Sequence, residues 1–299
     1  MEQFECFHDR NFSVYEQGMD ATLDIKWRQI RPWIVPDDGF VVDEGCGTGR
    51  FLARLARAFP HTGVIGRDVS SHFILKAREA TEGLTNASVL NADIAASRFP
   101  RRSVTTKIYS SVWHEIFSYQ GYHADVLRKV LRSSFDELVP GGRIIIRDGV
   151  KPERQTVAMW LSPKRNQDKP SAREMFMRFV RDFDAVRRVS YGHLQTSDYE
   201  LFTVLNSEDA YEFLMKKDYL ESWAGEIKEI FGVWSKDDFM RELETAGFRV
   251  VHAHLYRNPW IIRHRLKPAV TLYRFSDNGT LLPIPFPATN ITVVGEKPK

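Results

Sequence analysis

Three glycines at alternate positions mark the segment Asp43-Glu44-Gly45-Cys46-Gly47-Thr48-Gly49, directly after a short β-branched run. Without side chains at 45, 47 and 49 the backbone can bend sharply and approach a ligand where a Cβ would collide. The rhythm is Asp-x-Gly-x-Gly-x-Gly, not the dinucleotide fingerprint Gly-x-Gly-x-x-Gly, which seats a pyrophosphate over a helix N-terminus. An acid at the head of the loop repels phosphate but suits an ammonium group, directly or through water, which argues against NAD. Four further residues able to do chemistry are Asp68, Asp93, His114 and Asp148, each just beyond a strand-like run. In an open parallel sheet, ligands bind outside the carboxyl ends of the strands, so these positions converge on one rim.

The elements that must position them show as repeated changes of hydrophobic period between Phe40 and Val150. Strands are expected at 39–44, 64–66, 88–90, 107–109 and 143–147. They alternate with helices at 51–59, 71–80 and 124–138, the pattern of βαβ units around a mostly parallel sheet. The pattern resumes with a helix from Ser235 to Gly247, a strand from Phe248 to Tyr256 and a last strand from Asn290 to Val294. Between them lies an excursion punctuated by Pro259, Pro268, Asn278-Gly279 and Pro283. The expected organisation is a sheet domain over 37–150 and 235–299, an N-terminal helical cover over 1–36 and a mainly helical insert over 151–234. The cover rests on Tyr15, Leu23, Trp27 and Ile30 near helical spacing. The insert rests on the capping box Ser171-Ala172-Arg173-Glu174 and the stripe Met175, Phe176, Phe179, Val180 and Phe183.

The glycine loop resembles motif I of the class I S-adenosylmethionine-dependent methyltransferases, and the later elements are similar to that family's later motifs. The resemblance implies a Rossmann-like α/β fold with an antiparallel last strand. It also implies a cofactor site built from Asp43, Gly45, Cys46, Gly47 and Gly49, from Asp68 with Val69, from Asp93 with Ile94, and from Ser110. In that family the acid matching Asp68 holds the ribose hydroxyls and the acid matching Asp93 takes the adenine amino group. The competing roles are ordinary ones: Asp68 as a helix cap and Asp93 in a solvated turn.

On the acceptor side, the resemblance places Ser110 to Ile116 towards the methyl donor. Methyl transfer is an in-line displacement, so an enzyme must align the acceptor and, where necessary, remove its proton. His114 is the candidate base, with Glu115 turned away, and packing or capping is its alternative role. Asp148 is the candidate for orienting an acceptor amine or hydroxyl; a surface aspartate before a glycine turn is the alternative. His252 and His254 share one strand face but have no third ligand at convincing spacing, so no metal is expected.

The 299 residues carry 42 basic and 39 acidic side chains, so the formal charge of +3 is too small to imply nucleic acid or membrane binding. Two cysteines, Cys6 and Cys46, cannot staple a domain of this size; with no secretory leader, the expectation is a reduced, cytoplasmic protein. Neither cysteine lies where a cysteine-dependent cytosine methyltransferase needs one, and no Asn/Asp-Pro-Pro-Tyr/Phe motif is present. Phe176, Phe179, Phe183, Tyr191, Tyr199, Tyr211, Tyr219, Trp223 and Trp234 suffice to roof a small-molecule pocket, although helical spacing of aromatics also makes core. The reading is methyl transfer to O, N or C of a small metabolite. The basic stretch Arg257, Arg263, Arg265, Lys267 and Arg274 keeps RNA as an alternative acceptor. The other alternative is a protein that binds the donor without turnover.

Overall fold

The computed structural model describes residues 22–36, 39–96, 99–166 and 169–299. Tyr15, Cys6 and most of the expected N-terminal cover lie outside the described residues. Two compact units divide the chain: Met1–Asp148 with Lys236–His254 and Ile291–Lys299, and Gly149–Ser235 with Leu255–Asn290.

In chain order, the first unit opens with α1 (Leu23–Ile30), β1 (Phe40–Glu44), α2 (Arg50–Ala58), β2 (Gly63–Asp68) and α3 (Ser71–Ala80). It continues with β3 (Ala87–Asn91), β4 (Val104–Ser110), α4 (Trp113–Tyr119), α5 (Ala124–Glu137) and β5 (Leu138–Asp148). The second unit supplies β6 (Thr156–Leu161), α6 (Ala172–Phe183), β7 (Tyr191–Gln195), β8 (Leu201–Asn206), α7 (Ser207–Lys216) and α8 (Trp223–Glu226). The chain then forms α9 (Lys236–Thr245), β9 (Arg249–Tyr256), β10 (Val270–Phe275), β11 (Leu281–Ile284) and β12 (Asn290–Glu296).

The first sheet has the order β3-β2-β1-β4-β5-β12-β9. Its strands β1 to β5 pair in parallel and β12 runs antiparallel to β5, as the family resemblance implied. The order reverses between β1 and β4, which makes their carboxyl ends the switch point where a ligand crevice opens. One sheet face is apolar: Val41, Val64, Ile108, Ile145 and Val294 pack against Phe51, Leu52, Leu55 and Ala56 of α2. Those four positions share the helix face that the 3.6 period dictates. α2 starts tight against α3. Gly49, at φ +74°, would place a Cβ 2.4 Å from Ala77 Cα. The third glycine of the loop therefore serves helix packing.

The second sheet is antiparallel, in the order β11-β10-β6-β8-β7. Phe176, Phe179 and Phe183 of α6 and Tyr211, Phe213 and Leu214 of α7 pack with Val157, Met159, Leu205 and Leu272 of the sheet. Ser171 caps α6 in the expected box: its Oγ accepts from Glu174 N at 3.3 Å, and Glu174 Oε2 accepts from Ser171 N at 2.8 Å. The expected helices of 151–234 are present, but β6, β7 and β8 accompany them, and 255–290 belongs to this unit, not to the sheet domain. Short apolar runs such as Thr156–Leu161 read equally as strand or buried helix. Their partner β10 lies beyond the whole of α9 and β9, outside the reach of local periodicity.

Candidate active site

At the switch point lies a cavity of about 900 Å³, open mouth included. The glycine loop contributes Asp43, Gly45, Cys46, Gly47 and Thr48, and the end of β2 contributes Asp68 and Val69. Ile94 follows β3; Ser110, Ser111 and Val112 follow β4; Glu115 begins α4. Leu23 and Lys26 of α1, Arg50 and Phe51 of α2 and Phe73 of α3 complete the lining. Eight of the ten residues expected around the cofactor thus line one cavity. Gly49 and Asp93 do not.

Asp68 is 9% exposed and joins two loops: Oδ2 accepts from Gly47 N at 3.0 Å and Oδ1 from Ser70 N at 2.9 Å. The cap of α3 is Ser70, not Asp68. Gly45 and Gly47 have φ of +74° and +50°, the left-handed region that a glycine enters without penalty. Cys46 is buried, and that burial, aided by Asp68 and Asp43, pushes its thiol well above the ordinary range, so it is no nucleophile. Asp93 Oδ1 accepts from Ala95 N at 2.8 Å, the local turn that was its alternative role, while Ile94 reaches the wall. The Ser110 hydroxyl is buried without a hydrogen-bond partner among the described residues and lies on the cavity wall.

Beside this cavity, His114 and Asp148 meet. Nδ1 of His114 is 2.6 Å from Asp148 Oδ1, with side-chain exposures of 13% and 3%. Asp148 Oδ2 also accepts from Trp113 N at 2.6 Å and His114 N at 3.3 Å, so the carboxylate caps the start of α4 while it orients the ring. A carboxylate only accepts, so Nδ1 carries the proton and Nε2 is the basic nitrogen of the ring. Asp148 is therefore buried, not a surface residue. Against expectation, Glu115 lines the cavity while His114 does not.

Residues 41–142 match the family model of a methyltransferase domain. This segment is a methyltransferase domain. Among solved structures, the chain is similar to an S-adenosylmethionine-dependent methyltransferase from Mesorhizobium loti. The identity is 17%, covering 92% of this chain and 100% of that one at a TM-score of 0.53. It is also similar to the complex of the Haloferax volcanii Trm112 methyltransferase activator with a putative methyltransferase, at 16% identity, 96% of each chain and a TM-score of 0.55. A putative methyltransferase from Bacillus halodurans C-125 gives 14% identity, 91% and 98% coverage and a TM-score of 0.50. A comparison of the sequence with curated proteins gives no match.

The methyltransferase pocket fits its cofactor chemically. S-adenosylmethionine supplies a methyl group activated on a sulfonium sulfur, and it also carries an ammonium, a carboxylate, a ribose diol and an adenine. The cavity presents the acids Asp43, Asp68 and Glu115, the ammonium of Lys26, the orphaned Ser110 hydroxyl and the apolar walls Val69, Ile94 and Val112. Burial pushes Asp43 up to about 7, reinforced by Glu44 and Asp68 and opposed by Lys26. Burial, then Arg147, lowers Lys26 to about 8, while Asp43, Asp148 and Glu115 oppose the shift. Both groups thus shift towards neutrality inside the cavity. Sequence reasoning missed Lys26. The signal was present, since Leu23, Lys26, Trp27 and Ile30 fall on one helical stripe where a lysine is out of place.

Proposed function

We propose that this methyltransferase moves a methyl group from S-adenosylmethionine to a nucleophilic O, N or C atom of a small metabolite, with the His114–Asp148 pair removing the acceptor's proton. The observation that carries this reading is the 2.6 Å contact between His114 Nδ1 and Asp148 Oδ1 at the ends of α4 and β5. A buried carboxylate fixes the imidazole tautomer and stabilises the ring when it becomes charged, which is how a histidine is prepared as a base. Asp68 holds the ribose diol, Asp43 the ammonium and Lys26 the carboxylate of the donor. Gly45 and Gly47 let the main chain approach it, and Val69 and Ile94 flank its adenine. Cys46 and Ser110 complete the wall.

Charge pairing supports the small acceptor. Arg165 pairs with Glu174, Arg181 with Asp182, Arg187 with Asp209 and Arg265 with Asp218, so much of the second unit's positive charge is spent internally. RNA as acceptor has one observation in its favour: Trp260 is 59% exposed beside the His264 ring, with centroids 5.3 Å apart, in a stretch that also exposes Arg263 and Lys267.

The test uses donor labelled in its methyl group, offered separately with a metabolite extract and with purified RNA. Label appearing in a small molecule, with matching S-adenosylhomocysteine, is the expected result. Label confined to RNA overturns the small-acceptor reading, and no turnover with either favours a binding protein.

A further inference from the structure

A parallel sheet covered on both faces is built from near-continuous apolar runs. One face of the first sheet breaks that pattern with Glu44 of β1, Arg67 of β2 and Lys107 of β4, all at most 2% exposed. Glu44 and Arg67 are register partners, and Lys107 stands two residues before Tyr109, the partner of Glu44 on β4, so the three side chains share a face. Arg67 Nη1 and Lys107 Nζ each lie 3.0 Å from Glu44 Oε1, and Lys107 Nζ lies 2.6 Å from Glu137 Oε2.

Stability does not explain this cluster. Taking such charges out of water costs about as much as their attraction returns, and well-packed apolar residues are often as good or better. The network is also incomplete, since Arg67 Nε and Glu44 Oε2 have no hydrogen-bond partner among the described residues. What the cluster does is geometric. Arg67 Nη2 donates to Asp93 O at 2.7 Å and to Ala96 O at 2.9 Å, and Ile94 of the cavity wall lies between those two carbonyls. The main-chain oxygen of Arg67 accepts from Gly45 N at 2.8 Å and Cys46 N at 2.9 Å. One residue therefore grips both loops of the pocket. Glu137 steadies the far end: its Oε1 accepts from Phe99 N at 3.2 Å, and the Phe99 ring lies 5.5 Å from the Arg67 guanidinium.

We propose that Arg67 is the positioning residue of the donor pocket: its guanidinium, neutralised by Glu44, holds residues 93–96 so that Ile94 meets the nucleoside end of the donor. Arg67 itself touches no ligand. The proposal rests on the reading above, in which Ile94 flanks the adenine.

Two variants of the full chain test it, with S-adenosylhomocysteine as the probe. Arg67→Lys keeps a charge opposite Glu44 but lacks the planar fork that reaches two carbonyls. The double variant Glu44→Leu/Arg67→Leu removes both buried charges together and so keeps the fold even where the single change does not. The bonds from Gly45 and Cys46 go to the main chain and survive both changes. Calorimetry should show S-adenosylhomocysteine bound roughly ten- to a hundredfold more weakly, the scale of a lost charge-assisted hydrogen bond. The urea midpoint of the double variant should stay at or above that of the wild type. Amide exchange should quicken at 93–96 and not at 44–48. Wild-type affinity in the double variant, unchanged exchange at 93–96, or affinity and midpoint falling in step would each overturn the assignment. Failure of the wild type itself to bind S-adenosylhomocysteine would remove the pocket reading and the role of Arg67 with it.

Discussion

Asp68 accepts the amide of Gly47 through Oδ2 at 3.0 Å, so the carboxylate at the end of β2 and the glycine loop at the end of β1 are one mechanical unit. With the proposed role of Asp68 on the ribose, Asp68→Ala should loosen the loop and weaken donor binding by roughly 1.5 to 3 kcal/mol. Titration calorimetry checks this, with circular dichroism to show that the variant is folded. Wild-type affinity in a folded variant would take Asp68 out of the donor site.

Binding should depend on pH through Asp43, raised to about 7, and Lys26, lowered to about 8. Below about 7 Asp43 is protonated and loses the charge that pairs with an ammonium. Above about 8 Lys26 loses the charge that pairs with a carboxylate. Affinity should peak between these values and fall up to about tenfold per pH unit on the acid side. Stability of the unliganded protein runs the other way on the acid limb. The folded pKa of Asp43 is above its unfolded value of about 3.9, so its contribution is full below that value and is lost as pH rises through about 7. Calorimetry and thermal melts across this range measure both limbs; a flat affinity profile would refute the pairing.

His114→Asn keeps a polar side chain but takes up no proton near neutrality, and Asp148→Asn no longer holds the productive ring tautomer. Each should lower turnover roughly a hundredfold to ten-thousandfold with donor binding nearly intact. Asp148→Asn should also cost about 1 kcal/mol of stability because the same carboxylate caps α4. Single-turnover assays with an identified acceptor decide the matter. Undiminished turnover in His114→Asn would leave the histidine a purely structural role.

The glycines of one loop should respond differently to alanine. At Gly49 the new methyl meets Ala77 Cα at 2.4 Å, away from the cavity wall, so Gly49→Ala should destabilise the fold by about 2 to 4 kcal/mol. Gly45→Ala meets the Val112 side chain at 2.7 Å, on the wall itself, and should damage donor affinity more than it damages the fold. Urea midpoints paired with S-adenosylhomocysteine titrations separate the two effects, and equal loss of affinity per unit of lost stability would contradict this division.

Local chemistry by itself determined the alternation of strands and helices in the first unit, the position of the glycine loop, and the placing of Asp68, Asp93, His114 and Asp148 at or just beyond the carboxyl ends of strands. Each follows from side-chain period, backbone freedom at glycine, or the rule that strand ends face the crevice. Tertiary structure decided what no window along the chain contains. His114 and Asp148 were each visible, but their contact spans 34 residues and exists only because β4 and β5 are neighbours. Lys26 is one polar residue on an apolar helical stripe, and only the packing of α1 makes it part of the cavity wall. Arg67 stood beside a recognised aspartate, yet its hold on Asp93 and Ala96 depends on the loop after β3 folding back over β2. The second sheet was hidden for the same reason: β6 and β8 are specified by pairing with each other and with the distant β10, and pairing energy belongs to the partners, not to either strand alone.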